Sequence, residues 1–311
     1  MTTGARMKKY TPVITVVAIA LAGFLLYRAL DRYSFDQVVA SVTAIPRTRL
    51  LAAGGFAAAS YVCLTGFDAL GVCYAGRPLA YGRVALASFT ALSIGHNLGF
   101  AALSSGAVRY RFYRRWGLTA EEVARVIVFC GATVGLGLLI LAGSALLLHP
   151  GLAERASGLS RATVLGLGMV CLTLAGSYVV LAALVRRPLR LRHWTFTLPG
   201  LRLALGQAVV GTVNFTLVAA CLHQVLAAVA EVSYPAVASA YAIANATALV
   251  AHVPGGLGVI ESVVLLLLPG AEIFGALVVF RFVYFLVPLA IGGTTFLVSE
   301  AVWRTLIRSR G

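Results

Sequence analysis

Asp68, Glu261 and Arg281 stand in apolar sequence, and Arg109 directly follows another apolar run. Carboxylates and guanidinium groups in such a setting admit two kinds of chemistry. They can pair with one another, or they can line a polar pocket or cavity at membrane depth. Burying one such charge at the centre of a membrane span costs about 2.5–3.5 kcal/mol on the insertion scale, so each needs a partner, a wet cavity or an interface. Arg281 is nearest the middle of its run, with Tyr284 and Pro288 on its helical face, and Glu261 is its natural partner. A structural ion pair explains that couple as well as a binding role does. Asp68 lies seven residues before Ala75, about 10 Å into its helix. Arg125 begins its helix at the interface, where Glu121 can pair with it one turn away.

Covalent and metal chemistry find no support. There is no G-x-S-x-G, no phosphate-cradling G-x-x-x-x-G-K, no G-x-G-x-x-G after a strand and no carboxylate pair outside the apolar runs, so no catalytic residue is assigned and an enzyme is not expected. Cys63, Cys73, Cys130, Cys171 and Cys221 all lie in apolar stretches without a CxxC pair, and no His/Cys set has metal-ligand spacing. Neither a metal nor a cofactor is expected. His96, His223 and His252 each stand alone, as membrane histidines bonded to a neighbouring helix do.

The stretch "HVPGGLGVIES" (252–262) puts Pro254, Gly255, Gly256 and Gly258 just before Glu261, where an apolar helix should continue. Irregular backbone at membrane depth is tolerated only against protein or a wet cavity, and small residues let it approach a polar ligand. A second break, Gly-His-Asn at Gly95 to Asn97 followed by Ser104-Ser105-Gly106, precedes Arg109. Asn97 leads to Gly106-x-x-Arg109 and Asn245 to Gly258-x-x-Glu261, so each break joins an Asn, a Gly and a charge three residues on. Plotted at about 100° per residue, Tyr110, Phe112, Tyr113 and Trp116 share a face, with Arg111, Arg114 and Arg115 opposite. That pattern predicts an interfacial helix with its aromatics at the acyl boundary and its arginines toward anionic headgroups. Arg109 projects from the aromatic face, which assigns it either to a pocket or to snorkelling.

The elements that hold these residues are membrane helices. The chain of 311 residues is 60% hydrophobic and 11% charged, too apolar for one soluble core. Its net charge of +15 sits in short segments between apolar runs, which sets topology and gives no reason to expect nucleic acid. Spans are predicted at about 11–30, 50–75, 122–148, 161–185, 203–227 and 273–300. Arg6, Lys8 and Lys9 put the first, uncleaved, with its N-terminus in the cytoplasm. A crossing at 84–105 would leave "RYRFYRRWG" outside, so re-entrant hairpins are predicted at about 84–108 from the cytoplasm and 234–270 from the opposite face. The fold class is an all-α polytopic transmembrane bundle, a single domain over 1–311, with an inverted repeat and both termini cytoplasmic.

Thr65 to Cys130, "VPGGLGVIESVVLLLLP" (253–269) and "FRFVYFLVPL" (280–289) closely resemble the N-terminal membrane domain of the lysylphosphatidylglycerol synthases, the multiple peptide resistance factors. The resemblance spans nearly the whole chain. It implies a bacterial inner-membrane flippase region that moves aminoacylated phosphatidylglycerol outward and confers antimicrobial peptide resistance, with Asp68, Arg109, Glu261 and Arg281 as carried-over functional residues. Near Ser104 and Ser105 the chain departs from stand-alone relatives, which have a proline in the first hairpin. The family's soluble transferase domain has no counterpart up to Gly311, so synthase activity is not expected. The expected ligand is therefore a phospholipid, anionic or aminoacylated phosphatidylglycerol, held by Asp68, Asn97, Arg109, Pro254, Gly255, Gly256, Gly258, Glu261, Arg281 and Tyr284. The alternative is a membrane anchor for a separately encoded phosphatidylglycerol lysyltransferase. A separate synthase and further copies of the chain are the protein partners these readings admit.

Overall fold

The computed structural model describes residues 35–98, 101–185, 189–191, 194–251, 256–268 and 273–308. The span expected at 11–30 lies outside them, as do Pro254 and Gly255. The protein is an all-α polytopic membrane protein. Its helices are α1 (Phe35–Ala44), α2 (Arg47–Tyr74), α3 (Tyr81–Leu98), α4 (Ala101–Arg115), α5 (Ala120–Leu148), α6 (Pro150–Ser157), α7 (Arg161–Leu184), α8 (Leu201–Leu226), α9 (Tyr234–Ala251), α10 (Val259–Leu267), α11 (Ile273–Arg281) and α12 (Val287–Arg308). A π-helical segment, Phe282–Leu286, joins the last two. Between α7 and α8 a small antiparallel ribbon pairs Leu189–Leu191 with Trp194–Phe196. Among the described residues five helices are long and apolar enough to cross a membrane: Arg47–Tyr74, Ala120–Leu148, Arg161–Leu184, Leu201–Leu226 and Ile273–Thr305.

Lipid gives helices no hydrophobic reason to associate, so close packing must hold them. Helix α8 packs along α2 and α5, and α5 along α7. At the α5–α8 crossing Gly137 and Gly211 put backbone against backbone: a Cβ on Gly137 would fall 2.4 Å from the Gly211 carbonyl carbon. Polar side chains add directional contacts. Buried Gln207 on α8 donates to the Phe129 carbonyl and to Thr133 Oγ1 on α5, both at 3.1 Å, and accepts from Tyr178 of α7 at 2.6 Å.

Contacts at the helix termini fix which ends lie together. At the basic end, Arg77 after α2 pairs with Glu122 at the start of α5 (2.9 Å), and Tyr74 donates to the Thr197 carbonyl before α8. Thr119 caps α5 there, its hydroxyl accepting from the Glu122 amide while the Glu122 carboxylate accepts from the Thr119 amide. At the opposite end, Arg49 of α2 donates to Gln224 of α8 at 2.9 Å. Helices α3 and α4 lie side by side, with Gly95 against Ser105 and the Arg83 guanidinium 6.0 Å from the Trp116 ring, so this hairpin both begins and ends at the basic end. Helices α9 and α10 also pack together. Tyr234 donates to the Thr216 carbonyl, and Gly275 of α11 lies against Ser41 of α1, so the second hairpin begins and ends at the opposite end.

The expectation that the aromatic residues of 109–116 lie at the acyl boundary is corrected. This stretch forms the last turns of α4, and Phe112 and Tyr113 are buried within the protein, Phe112 edge-on to Phe296 at 6.2 Å. The aromatic face found protein where the sequence suggested an acyl boundary, because α12 and α2 cover it. Arg111 and Arg115 are likewise held by the Glu300 carboxylate of α12.

Candidate functional site

Two buried ion pairs, one per hairpin, form the polar centres of the bundle. In the first, Arg109 of α4 grips Asp68 of α2 with both arms of its fork, Nε to Oδ1 at 2.8 Å and Nη2 to Oδ2 at 2.7 Å. Tyr113 donates to Oδ1 and Ser88 of α3 to Oδ2, each at 2.7 Å, while Arg109 Nη1 reaches Ser105 Oγ at 2.9 Å. Asp68 is fully buried and Arg109 nearly so. Each carboxylate oxygen thus takes two donors, the condition for a buried charge to persist. The spacing of Arg109 and Tyr113, one turn apart on α4, aims both at Asp68.

In the second pair the hairpin carries the carboxylate. Gly256 (φ 59°) and Gly258 (φ 82°) take left-handed conformations that favour glycine, turning the chain into α10. Glu261 sits in the first turn of α10 and accepts from the Gly258 amide at 2.9 Å. Arg281, near the end of α11, donates to both Glu261 oxygens, Nε to Oε1 and Nη2 to Oε2, and Nη2 also bonds the Gly256 carbonyl at 2.8 Å. Its guanidinium lies 4.5 Å from the Phe285 ring centroid. One arginine therefore ties the hairpin's turn and its carboxylate to α11. Asp68 lies about 9 Å from the basic end of α2 and Arg281 about 12 Å from the start of α11 at the opposite end, at 1.5 Å per residue.

Between the pairs runs a cluster organised by Pro288. Proline has no N–H to return to the carbonyl four residues back, and its ring crowds that carbonyl, so the helix widens into the π-helical segment just before it. The Tyr284 carbonyl accepts from Tyr61 at 3.3 Å, and the Phe285 carbonyl from Asn97 Nδ2 at 3.2 Å. The Tyr284 hydroxyl meets Ser60 Oγ at 2.9 Å, and Ser60 donates to Asn214 of α8 at 2.7 Å. His96 stacks on Tyr284 at 6.4 Å and lies edge-on to Phe285 and Tyr61.

Asp68 and Arg109 thus meet, as do Gly256, Gly258, Glu261 and Arg281. Asn97 and Tyr284 belong to the bulge cluster, where Asn97 docks the first hairpin onto the bulge by donating to the Phe285 carbonyl as well as to the Ser93 carbonyl of its own helix. Ser88, Tyr113, Ser60, Tyr61 and Asn214 were missed from sequence, although Ser88 and Asn214, polar residues inside apolar runs, carried a usable signal. Among the described residues no group of three or more His, Cys, Asp or Glu side chains could hold a metal.

No family model matches the chain. It is similar to the uncharacterized protein slr0712 of Synechocystis sp., 29% identical over 294 residues that cover 93% of this chain and 91% of that protein. It is also similar to the inner membrane protein YbhN of Escherichia coli, 27% identical over 279 residues, 87% of this chain and 86% of YbhN. Both matches run nearly end to end, so the likeness to an inner membrane protein belongs to the whole bundle.

Proposed function

We propose that the protein is a flippase-like translocase of the bacterial inner membrane that moves phospholipid, foremost aminoacylated phosphatidylglycerol, between leaflets. The observation that carries this reading is the arrangement of two helical hairpins opening at opposite ends of the bundle, each held by a buried carboxylate–arginine pair. In the closed pairs the carboxylates and guanidinium groups satisfy each other. A ligand bearing one charge would have to strand the partner it displaces, at a cost of about 3–5 kcal/mol. A headgroup with both phosphate and ammonium replaces both partners at once: phosphate takes the carboxylate's place on the guanidinium, and ammonium takes the guanidinium's place on the carboxylate. The acyl tails stay in the bilayer. On this reading the basic end of the bundle faces the cytoplasm, as the positive-inside bias favours. The resemblance to the flippase region of the lysylphosphatidylglycerol synthases supports the same substrate class.

The test is reconstitution of the chain in liposomes with tail-labelled lipids. Exposure of lysylphosphatidylglycerol in the second leaflet should run faster than in protein-free liposomes and faster than that of phosphatidylcholine. Equal rates with and without protein would overturn the proposal. The same preparation given charged tRNA and phosphatidylglycerol should make no aminoacyl lipid. A second reading, a membrane anchor for a separately encoded lysyltransferase, is favoured by the full hydrogen bonding of Asp68, which suits a purely structural pair.

A further inference from the structure

Away from the hairpin pairs, Glu300 near the end of α12 is shared by Arg111 and Arg115, with Arg111 Nε to Glu300 Oε1 at 2.7 Å and further contacts from both arginines to its two oxygens. Arg304, one turn beyond Glu300 on the same helix, is exposed and makes no ion pair among the described residues. Two guanidinium groups thus bond one carboxylate and a third stands one turn away on the same helix, a formal surplus of two positive charges. The site is only partly wet, with side-chain exposures of 22% at Arg111, 12% at Arg115 and 5% at Glu300. Arg115 also lies 5.2 Å from the Trp303 ring centroid and 5.8 Å from that of Phe112. An uncompensated positive cluster beside low-dielectric walls concentrates anions.

We infer that Arg111, Arg115 and Arg304, around Glu300, form a binding site for the phosphodiester headgroup of an anionic phospholipid, separate from the hairpin pairs and independent of whether the protein transports lipid. A lipid is the source that fits, because Trp303 at the rim is 36% exposed, and tryptophan prefers the headgroup level of a membrane. Guanidinium forks match phosphate oxygens, and Glu300 spaces the two arginines while offsetting one charge.

The test is native mass spectrometry of the full chain released from nanodiscs of equal phosphatidylglycerol and phosphatidylcholine. One charge near an anionic headgroup changes retention about fivefold. Arg304→Gln should lower the retained phosphatidylglycerol-to-phosphatidylcholine ratio by about that factor, and Glu300→Gln, which raises the local charge, should increase it. A purely structural Glu300 would give no such increase. Because Arg304 is exposed, its variant is expected to fold even if Glu300→Gln does not, and an unchanged ratio in Arg304→Gln overturns the site. Loss of bound phosphatidylglycerol on adding millimolar inorganic phosphate at constant ionic strength would show that free phosphate is the ligand and overturn the lipid assignment.

Discussion

Asp68 accepts from Arg109, Tyr113 and Ser88 at once, so its neighbours differ in what their removal should do. Asp68→Asn leaves the Arg109 guanidinium buried without a counter-charge and should destabilise by about 3–5 kcal/mol, seen as a large fall in detergent melting temperature. Tyr113→Phe removes one donor from a carboxylate that keeps its others, and the loss should be about 1.5–3 kcal/mol in the same measurement. If the two variants melted alike, the carboxylate would not be the hub of this cluster. The ionisable residues were legible in sequence because charges in apolar runs stand out. Their partners were legible only in part: Glu261 and Arg281 share a neighbourhood in sequence, whereas Arg109 reaches Asp68 across two helices. Glu300 was passed over because it stands in a helix end that reads as an ordinary polar boundary. Only packing shows that two arginines converge on it.

Among the helices, Pro288 and the α5–α8 crossing control shape. Pro288→Ala restores an N–H that can bond the Tyr284 carbonyl. The helix should then close to an α-helix, and Tyr61 and Asn97 should lose the Tyr284 and Phe285 carbonyls as acceptors, Asn97 keeping that of Ser93. Losing those bonds should loosen the docking of the first hairpin and lower the melting temperature in detergent; an unchanged melting temperature would show that the bulge carbonyls do not hold it. Gly137→Ala forces α5 from α8 and should cost about 1–3 kcal/mol as an overpacked contact. Gly131→Ala on the same helix meets no atom within 4 Å and should not lower the melting temperature. Equal losses from the two alanines would contradict the crossing. Spans could be read from apolar runs, and the Gly and Asn breaks marked where hairpins turn. The bulge was not read, although Pro288 was visible, because the sequence does not say whether a proline kinks, widens or ends a helix. The inward face of Phe112 and Tyr113 was misassigned for a related reason: an aromatic stripe looks the same whether lipid or a neighbouring helix covers it.

For the whole bundle, the basic segments identified one end, and contacts such as Arg77 with Glu122 and Arg49 with Gln224 show which termini lie together. Single cysteines at Ala120 and Glu231, in a background lacking the five native ones, should label from the cytoplasm and from outside respectively. Both labelling from one side would contradict hairpins that open at opposite ends. The sequence could suggest this arrangement because positive charge is distributed by side. It could not show that each hairpin is held by an ion pair, since pairing between distant segments leaves no local periodicity. The central claim is that a dipolar headgroup replaces both partners of a buried pair, and the measurement that tests it most directly is transport by Glu261→Gln/Arg281→Gln. With neither charge stranded, the double variant should melt closer to the parent than either single variant does. It should nevertheless lose its preference for lysylphosphatidylglycerol over phosphatidylcholine in liposomes, whereas parent-like preference and rate would mean that Glu261 and Arg281 only hold the helices together.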